Sequence, residues 1–358
     1  MKSVVILKSR LEARGGLEKY TRYLAAAFAE RGYTVKILTT GNYLSWGKIE
    51  VISLGKTSKF SLYHLWKFNV RCQKWLQKYP ADIVFGMERN TFQTHYRAGS
   101  GVHAIYLKRR MMIDSWFKSF SCFFNPLHRY LLKVEKMIFN DPKLKILFTN
   151  SNMVKKEILA TYKIQSKKIQ VIHNGVEWVE KERPFQETFL KPRRKVFHFL
   201  FVGNGFKRKG LAFLLRGLKT IKDSFFLTVV GKDKNLSFYQ KLAKNLCVRF
   251  VGEQKDVTPF YQEADALVIP SIYDPFSNVT LEGLAMGLFV VSSKYNGGHE
   301  ILTRETGVVI ENLMNPKAAL ERAFLFPKTL ERATLIRQSI KDLDFSNQLD
   351  KLVSLSLC

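Results

Sequence analysis

YDPFSNVTLEGLAMG, Tyr273–Gly287, is the most informative stretch of the chain. An apolar strand pattern, Ala266–Ile269, leads into it. Pro270, Pro275, Ser277 and Asn278 then break the chain, and an apolar-periodic helix begins near Val279. A strand, a tight turn and a helix N-terminus leave unpaired backbone N–H groups facing the turn, and the helix dipole adds positive potential there. Such a unit is ready to take an anion. Two carboxylates, Asp274 and Glu282, flank it. Amides suited to phosphate beside carboxylates suited to hydroxyls suggest a nucleotide-sugar. The alternative is an ordinary β–turn–α unit with acids on its surface.

Outward from this unit, strand and helix patterns alternate along the whole chain. Before it come strand candidates at Val4–Leu7, Val35–Thr39, Ile83–Phe85, Ile146–Thr149 and Gln170–Ile172, with helices through about Arg31 and over Leu62–Lys78. The chain then turns polar from Asn174-Gly175 through Arg194, with Pro184 and Pro192, and reads as a linker. A second series follows: strands at Val196–Val202, Phe225–Val230, Val248–Val251, Ala266–Ile269, Phe289–Ser292 and Gly307–Ile310, with helices near Leu211–Ile221, Leu236–Asn245 and Val279. Short apolar strands alternating with helices predict parallel sheets covered on both faces, with ligands at the carboxyl ends of the strands. Two such domains would face one another across a central cleft.

The chain has 358 residues, long for one core. It carries 58 Lys and Arg against 30 Asp and Glu, a net charge of +28. That charge favours nucleic acid, anionic lipid or phosphorylated substrates. No run of about 18 uninterrupted apolar residues occurs, so no spanning helix is expected. Met1–Leu7 lacks a secretory signal pattern. Cys72, Cys122, Cys247 and Cys358 are scattered without metal spacing, which fits a reduced cytoplasmic protein.

Two further constellations sit after strands. Gly15-Gly16 follows the first, where glycines let backbone amides approach a ligand at the start of a helix. It is not the dinucleotide fingerprint, and Thr39-Thr40 stand where an acid would end the second strand. Gly203–Gly210 reads GNGFKRKG. Lys207, Arg208 and Lys209 can hold a diphosphate and neutralise charge growing on it as a leaving group. Glu282, early in its helix, can accept a ribose hydroxyl, and Asp274 a sugar hydroxyl. Asp342-Leu-Asp344 lies outside any strand–loop context and reads as surface, not as a metal site.

These segments together resemble the retaining glycosyltransferases of family 4, and among them the bacterial lipopolysaccharide-core glucosyltransferases. The matching pieces are Gly15-Gly16-Leu17, Asn174-Gly175-Val176, Phe201–Gly210, Val229–Lys234, Tyr273–Gly287 and Gly297-Gly298, in family order. The resemblance implies the two-domain GT-B fold: α/β, two Rossmann-like doubly wound parallel sheets. Residues 1–172 would bind the acceptor, with a C-terminal helix at 341–358 packing back on them, and 173–340 would bind the donor. Gly15, Gly16, Arg208, Lys209, Asn278, Val279, Thr280 and Glu282 would line the donor site, a UDP-sugar being expected. No metal is expected, because cations already surround the phosphates. The family usually carries Glu where this chain has Asp274, a shorter reach by one methylene. Ser100 stands where related sequences carry an acid, which leaves His103 as the titratable candidate, with His95 second. His103 and Asp274 are therefore the catalytic candidates.

Residues 103–139 carry Lys108, Arg109, Arg110, Lys118, Arg129, Lys133 and Lys136 against only Asp114 and Glu135. Trp116, Phe117, Phe120, Phe123 and Phe124 fall on one helical face. Aromatics opposite cations suit a helix lying in an anionic membrane surface. Lys108, Arg109, Arg110, Trp116, Phe117, Lys118 and Phe120 are the expected contacts. Leu127, Tyr130, Leu131, Val134, Met137 and Ile138 form a second stripe, expected to pack on the sheet. The expected partners are a nucleotide-sugar, a glycolipid acceptor and the inner face of the cytoplasmic membrane. A nucleic-acid-binding role rests on charge alone, since no such module is recognisable. A relative acting as an epimerase or an inactive partner-binding protein is the other alternative.

Overall fold

The computed structural model describes residues 2–11, 16–41, 46–47, 49–58, 60–114, 124–190 and 195–357. The chain divides into two compact units, Met1–Ile172 with Gln348–Cys358, and His173–Asn347.

The first unit is built on seven parallel strands in the order β3-β2-β1-β4-β5-β6-β7. They are β1 Ser3–Arg10, β2 Thr34–Thr40, β3 Glu50–Ser53, β4 Ile83–Gly86, β5 His95–Arg97, β6 Ile146–Thr149 and β7 Ile169–Val171. Val4–Leu7 in β1 is almost entirely buried, as a central strand covered on both faces must be. The second unit repeats the plan with six parallel strands: β8 Phe197–Val202, β9 Phe225–Val230, β10 Val248–Gly252, β11 Ala266–Ile269, β12 Phe289–Ser293 and β13 Gly307–Ile310. Their order is β10-β9-β8-β11-β12-β13. Both sheets are therefore doubly wound in the Rossmann manner, and the strand order reverses between β1 and β4 and between β8 and β11. The crevice beyond the carboxyl ends of such a pair is where this fold takes ligands. Among the described residues no helix is long and apolar enough to cross a membrane.

Two strands escape sequence reading. β3, Glu-Val-Ile-Ser, and β5, His-Tyr-Arg, are too short and too polar to show a period, yet β3 pairs with the seven-residue β2 and β5 lies between the buried strands β4 and β6. The polar run after Asn174 is not a loose linker in its described part. It forms a helix at Glu182–Glu187, buries Phe185 and belongs to the second unit. Arg337 fixes it: its guanidinium donates to the Trp178 carbonyl at 2.7 Å and to Glu182 at 2.9 Å, over the Trp178 ring at 4.2 Å. The same guanidinium donates to the Ala285 carbonyl at 2.6 Å, satisfying an acceptor left open at the end of the Asn278–Ala285 helix. The last helix, Phe345–Ser356, buries Leu349, Leu352 and Val353, and Asp350 pairs with Arg31 at 2.9 Å.

Candidate functional site

At the switch point of the second unit, β8 runs into Gly203-Asn204-Gly205, then a single turn of helix, Phe206–Lys209. Gly210 ends the turn at φ +78, and a Cβ there would stand 1.8 Å from the Pro270 carbonyl oxygen. Only glycine permits this approach, which sets the basic turn against the exit of β11. The Ile272 amide donates to the Arg208 carbonyl at 3.0 Å and ties the two loops. Lys209, nearly buried, extends its ammonium to Asp274 Oδ2 at 2.7 Å and to Ser277 Oγ at 3.2 Å. Arg208 Nη1 reaches the same Oδ2 at 3.3 Å, while its side chain stays 40% exposed. One carboxylate oxygen thus collects two cations and holds one of them at the surface.

The wall carrying Asp274 is fixed from behind by Asn296, which is wholly buried. Its Oδ1 accepts from the amides of Ser277 at 3.0 Å and Gly298 at 3.2 Å. Its Nδ2 donates to Thr280 Oγ1 at 3.1 Å and Ser292 Oγ at 2.9 Å. A Cβ on Gly298 would meet Thr280 Oγ1 at 2.6 Å, so the Gly297-Gly298 turn closes against the next helix. That helix, Asn278–Ala285, has Ser277 at its N-cap without a side-chain cap bond. Its first amides, at Asn278 and Val279, precede the first intrahelical bond and face outward with the dipole. Asn278 is exposed and accepts from Asn174 Nδ2 at 2.7 Å. Thr280 is fully buried, and its amide donates to the Ser277 carbonyl at 3.0 Å, so it braces the turn from within.

Glu282 lies one turn into the helix and is half-buried. Its Oε2 accepts from the Tyr261 hydroxyl at 2.7 Å. Tyr261, from the Thr258–Glu263 helix, is wholly buried. Burial and the Glu282 charge push its hydroxyl well above the usual tyrosine range, so it remains a donor to the carboxylate. Tyr261, Ser277 and Asn296 were missed by sequence reading. Asn296 had a signal, standing directly before Gly297-Gly298; Tyr261 had none.

In the first unit, Gly16 opens the Gly16–Glu30 helix, and Gly15 lies outside the described residues. Lys8 and Ser9, at the end of β1, both bond the Glu88 carboxylate. His103 begins the His103–Met111 helix and is buried. Its amide donates to Glu135 Oε1 at 2.6 Å, and its Nε2 lies 3.0 Å from His128 Nδ1. Burial, Arg89 and His128 push it down to about 4, so it is neutral at physiological pH. Ser100, in place of the expected acid, accepts from Arg89 Nη1 at 3.1 Å, and that guanidinium also donates to buried Glu135 at 2.8 Å. His95 is buried within β5, packed parallel to Phe85 with ring centroids 6.2 Å apart.

Lys108 is exposed, Arg109 and Arg110 are half-buried, and Arg110 pairs with Asp114 at 2.7 Å. Trp116, Phe117, Lys118 and Phe120 lie outside the described residues. The second stripe packs on the sheet through Val134 and Ile138, but Met137 faces out, 47% exposed. Among the described residues no group of three or more His, Cys, Asp or Glu could hold a metal ion.

Comparison with known proteins gives two family matches. Residues 14–177 match "Glycosyltransferase Family 4" and residues 196–324 match "Glycosyl transferases group 1". The lipopolysaccharide glucosyltransferase WaaG of Escherichia coli is 24% identical over 83% of this chain and 82% of its own length. The O-antigen chain mannosyltransferase RfbU of Salmonella typhimurium is 30% identical over 49% of this chain. The chain spans about half the length of RfbU, 48%. A crystal structure of WaaG superposes with a TM-score of 0.76 at 21% identity, over 98% of this chain and 99% of that one. Anabaena HepE, solved with UDP-glucose, gives 0.67 at 13% identity, over 100% and 99%.

Proposed function

The chain belongs to the family 4 glycosyltransferases, and we propose that it is a retaining hexosyltransferase moving a hexose from a UDP-sugar to a membrane-associated glycolipid such as lipopolysaccharide core. One observation carries this reading. Arg208 and Lys209 converge on Asp274 at the switch point of the second unit, beside the open end of the helix that bears Glu282.

In this reading Arg208 and Lys209 hold the donor diphosphate, and the amides of Asn278 and Val279 add dipolar attraction. Glu282, oriented by Tyr261, accepts a hydrogen bond from the ribose. As the bond from the sugar C1 to the diphosphate oxygen breaks, negative charge grows on that oxygen and the two cations stabilise it. The acceptor hydroxyl oxygen bonds to C1 on the same face, and its proton passes to the departing diphosphate. One bond forms, one breaks, and the proton ends on the leaving group. Asp274 sets the cation positions and, through Lys209, where the sugar sits. His103, neutral, is the candidate on the acceptor side. Two cations meet the diphosphate charge, so turnover needs no divalent metal.

Peripheral attachment to an anionic inner membrane face is supported by Lys108 and Arg109 on a helix that ends in exposed Met111 and Met112. Product analysis with a panel of UDP-hexoses and a lipopolysaccharide-core acceptor tests the reading. It predicts a glycosylated acceptor with the donor's anomeric configuration, and a fall of about 100-fold in kcat for Arg208→Ala. A free hexose, an epimer or an inverted product would overturn it.

A further inference from the structure

A pocket of about 210 Å3 opens in the first unit where β2 ends and the Ser61–Lys78 helix begins. Its walls include Thr40, Lys56, Thr57, Ser58, Lys67 and Arg71, with no carboxylate among them. The Arg71 guanidinium lies against Gly55, whose φ is +114; a Cβ there would stand 2.3 Å from Nη1. A bare backbone therefore seats the guanidinium. Lys67 donates to the Tyr63 hydroxyl at 2.8 Å. Among the described residues neither Lys56 nor Arg71 has an ion-pair partner. Behind them, Thr40 Oγ1 donates to the Ser9 carbonyl at 2.7 Å and stands 3.3 Å from Thr57 Oγ1. Arg10 Nη2 donates to the carbonyl of Ser58, a lining residue, at 2.5 Å and brings a fourth positive charge close to the pocket. Tyr63 also lines the pocket; it is 47% exposed, and its ring lies 6.1 Å from that of Trp66, which is 50% exposed.

Like charges around a pocket whose lining holds no carboxylate repel one another, so a multiply charged anion is the ligand that relieves them. A planar guanidinium with flanking ammonium groups and hydroxyls matches the oxygens of a phosphoryl group. Exposed rings beside it offer apolar area to the C–H face of a sugar. We infer that this pocket binds a phosphorylated sugar, its phosphoryl group on Lys56, Lys67 and Arg71 and its ring against Tyr63 and Trp66. Assigning that sugar to the glycan acceptor rests on the transferase reading; the occupancy itself does not.

The test is calorimetric titration with glucose 6-phosphate, glucose and inorganic phosphate, at saturating UDP so that the donor site is filled. Wild type binds glucose 6-phosphate more tightly than inorganic phosphate and does not bind glucose. Arg71→Gln and Lys56→Gln each weaken glucose 6-phosphate at least tenfold while UDP affinity is unchanged, and Arg208→Gln leaves glucose 6-phosphate binding intact. Equal affinity in wild type and Arg71→Gln, or loss with Arg208→Gln instead, overturns the inference. Inorganic phosphate binding as tightly as glucose 6-phosphate overturns the ring contact. If UDP does not bind but glucose 6-phosphate still depends on Arg71, the transferase reading falls and the pocket stands.

Discussion

The Lys209 ammonium meets Asp274 Oδ2 at 2.7 Å with both side chains only about one-tenth exposed, 11% and 10%. Burying a charge is tolerated when its partner is fixed, and breaking such a pair strands the survivor in a poorly solvated place. Asp274→Ala should therefore lower unfolding stability by about 3 kcal/mol, read as the shift in urea midpoint. Nucleotide affinity should fall with it, because Arg208 loses the same anchor.

The hydroxyl of Tyr261 is the described group that orients Glu282. Tyr261→Phe removes one hydrogen bond to a charged acceptor, worth about 1.5 to 3 kcal/mol at its full value. Glu282 keeps its place on the helix, so the expected outcome is a donor KM raised about tenfold with kcat little changed. A fall in kcat at constant KM would place Glu282 in the chemical step instead.

His95 and His103 are both pushed down to about 4, chiefly by burial, against an ordinary 6.5. The unfolded chain takes up protons through pH 6.5 that the folded chain refuses until about pH 4. Their contribution to stability is thus complete above pH 6.5 and is lost as the pH falls from 6.5 towards 4. Urea midpoints at pH 7.5, 6 and 5 should decrease in that order, and His103→Gln should flatten the decline.

Lys108, Arg109 and Arg110 are the described cations of the proposed membrane face. Each cation near an anionic surface contributes about 1 kcal/mol, and Arg110 is already shared with Asp114. Replacing all three with Gln should weaken sedimentation with phosphatidylserine vesicles at least tenfold at low salt, with thermal melting unchanged. Undiminished sedimentation would remove these residues from the membrane face.

Much of the second unit's fold was legible because its strands are short apolar runs bounded by glycine, proline and polar residues. Phe225–Val230, Ala266–Ile269 and Gly307–Ile310 have the same limits in the sequence and in the structure. β5 was not legible: three residues, two of them polar, hold no period, and only pairing with β4 and β6 makes them a strand. The site divides the same way. Lys209 and Asp274 each stood out from the local strand–turn–helix chemistry, but as two separate walls. Their direct bond spans 65 residues and arises from the approach that Gly210 allows. The Tyr261–Glu282 bond joins elements that only packing brings together, and no local pattern announces it, whereas the Asn296 hub is signalled only by the Gly297-Gly298 turn that follows it.

Arg208, Lys209 and Glu282 are proposed to form a nucleoside-diphosphate site that works without metal. The decisive measurement is calorimetric titration of UDP into wild type, Arg208→Gln and Glu282→Gln, in EDTA. Wild type should bind UDP in EDTA, and either variant should bind it at least tenfold more weakly while melting temperatures stay close. Absence of UDP binding to the wild type in EDTA, or equal affinity in all three proteins, would contradict it.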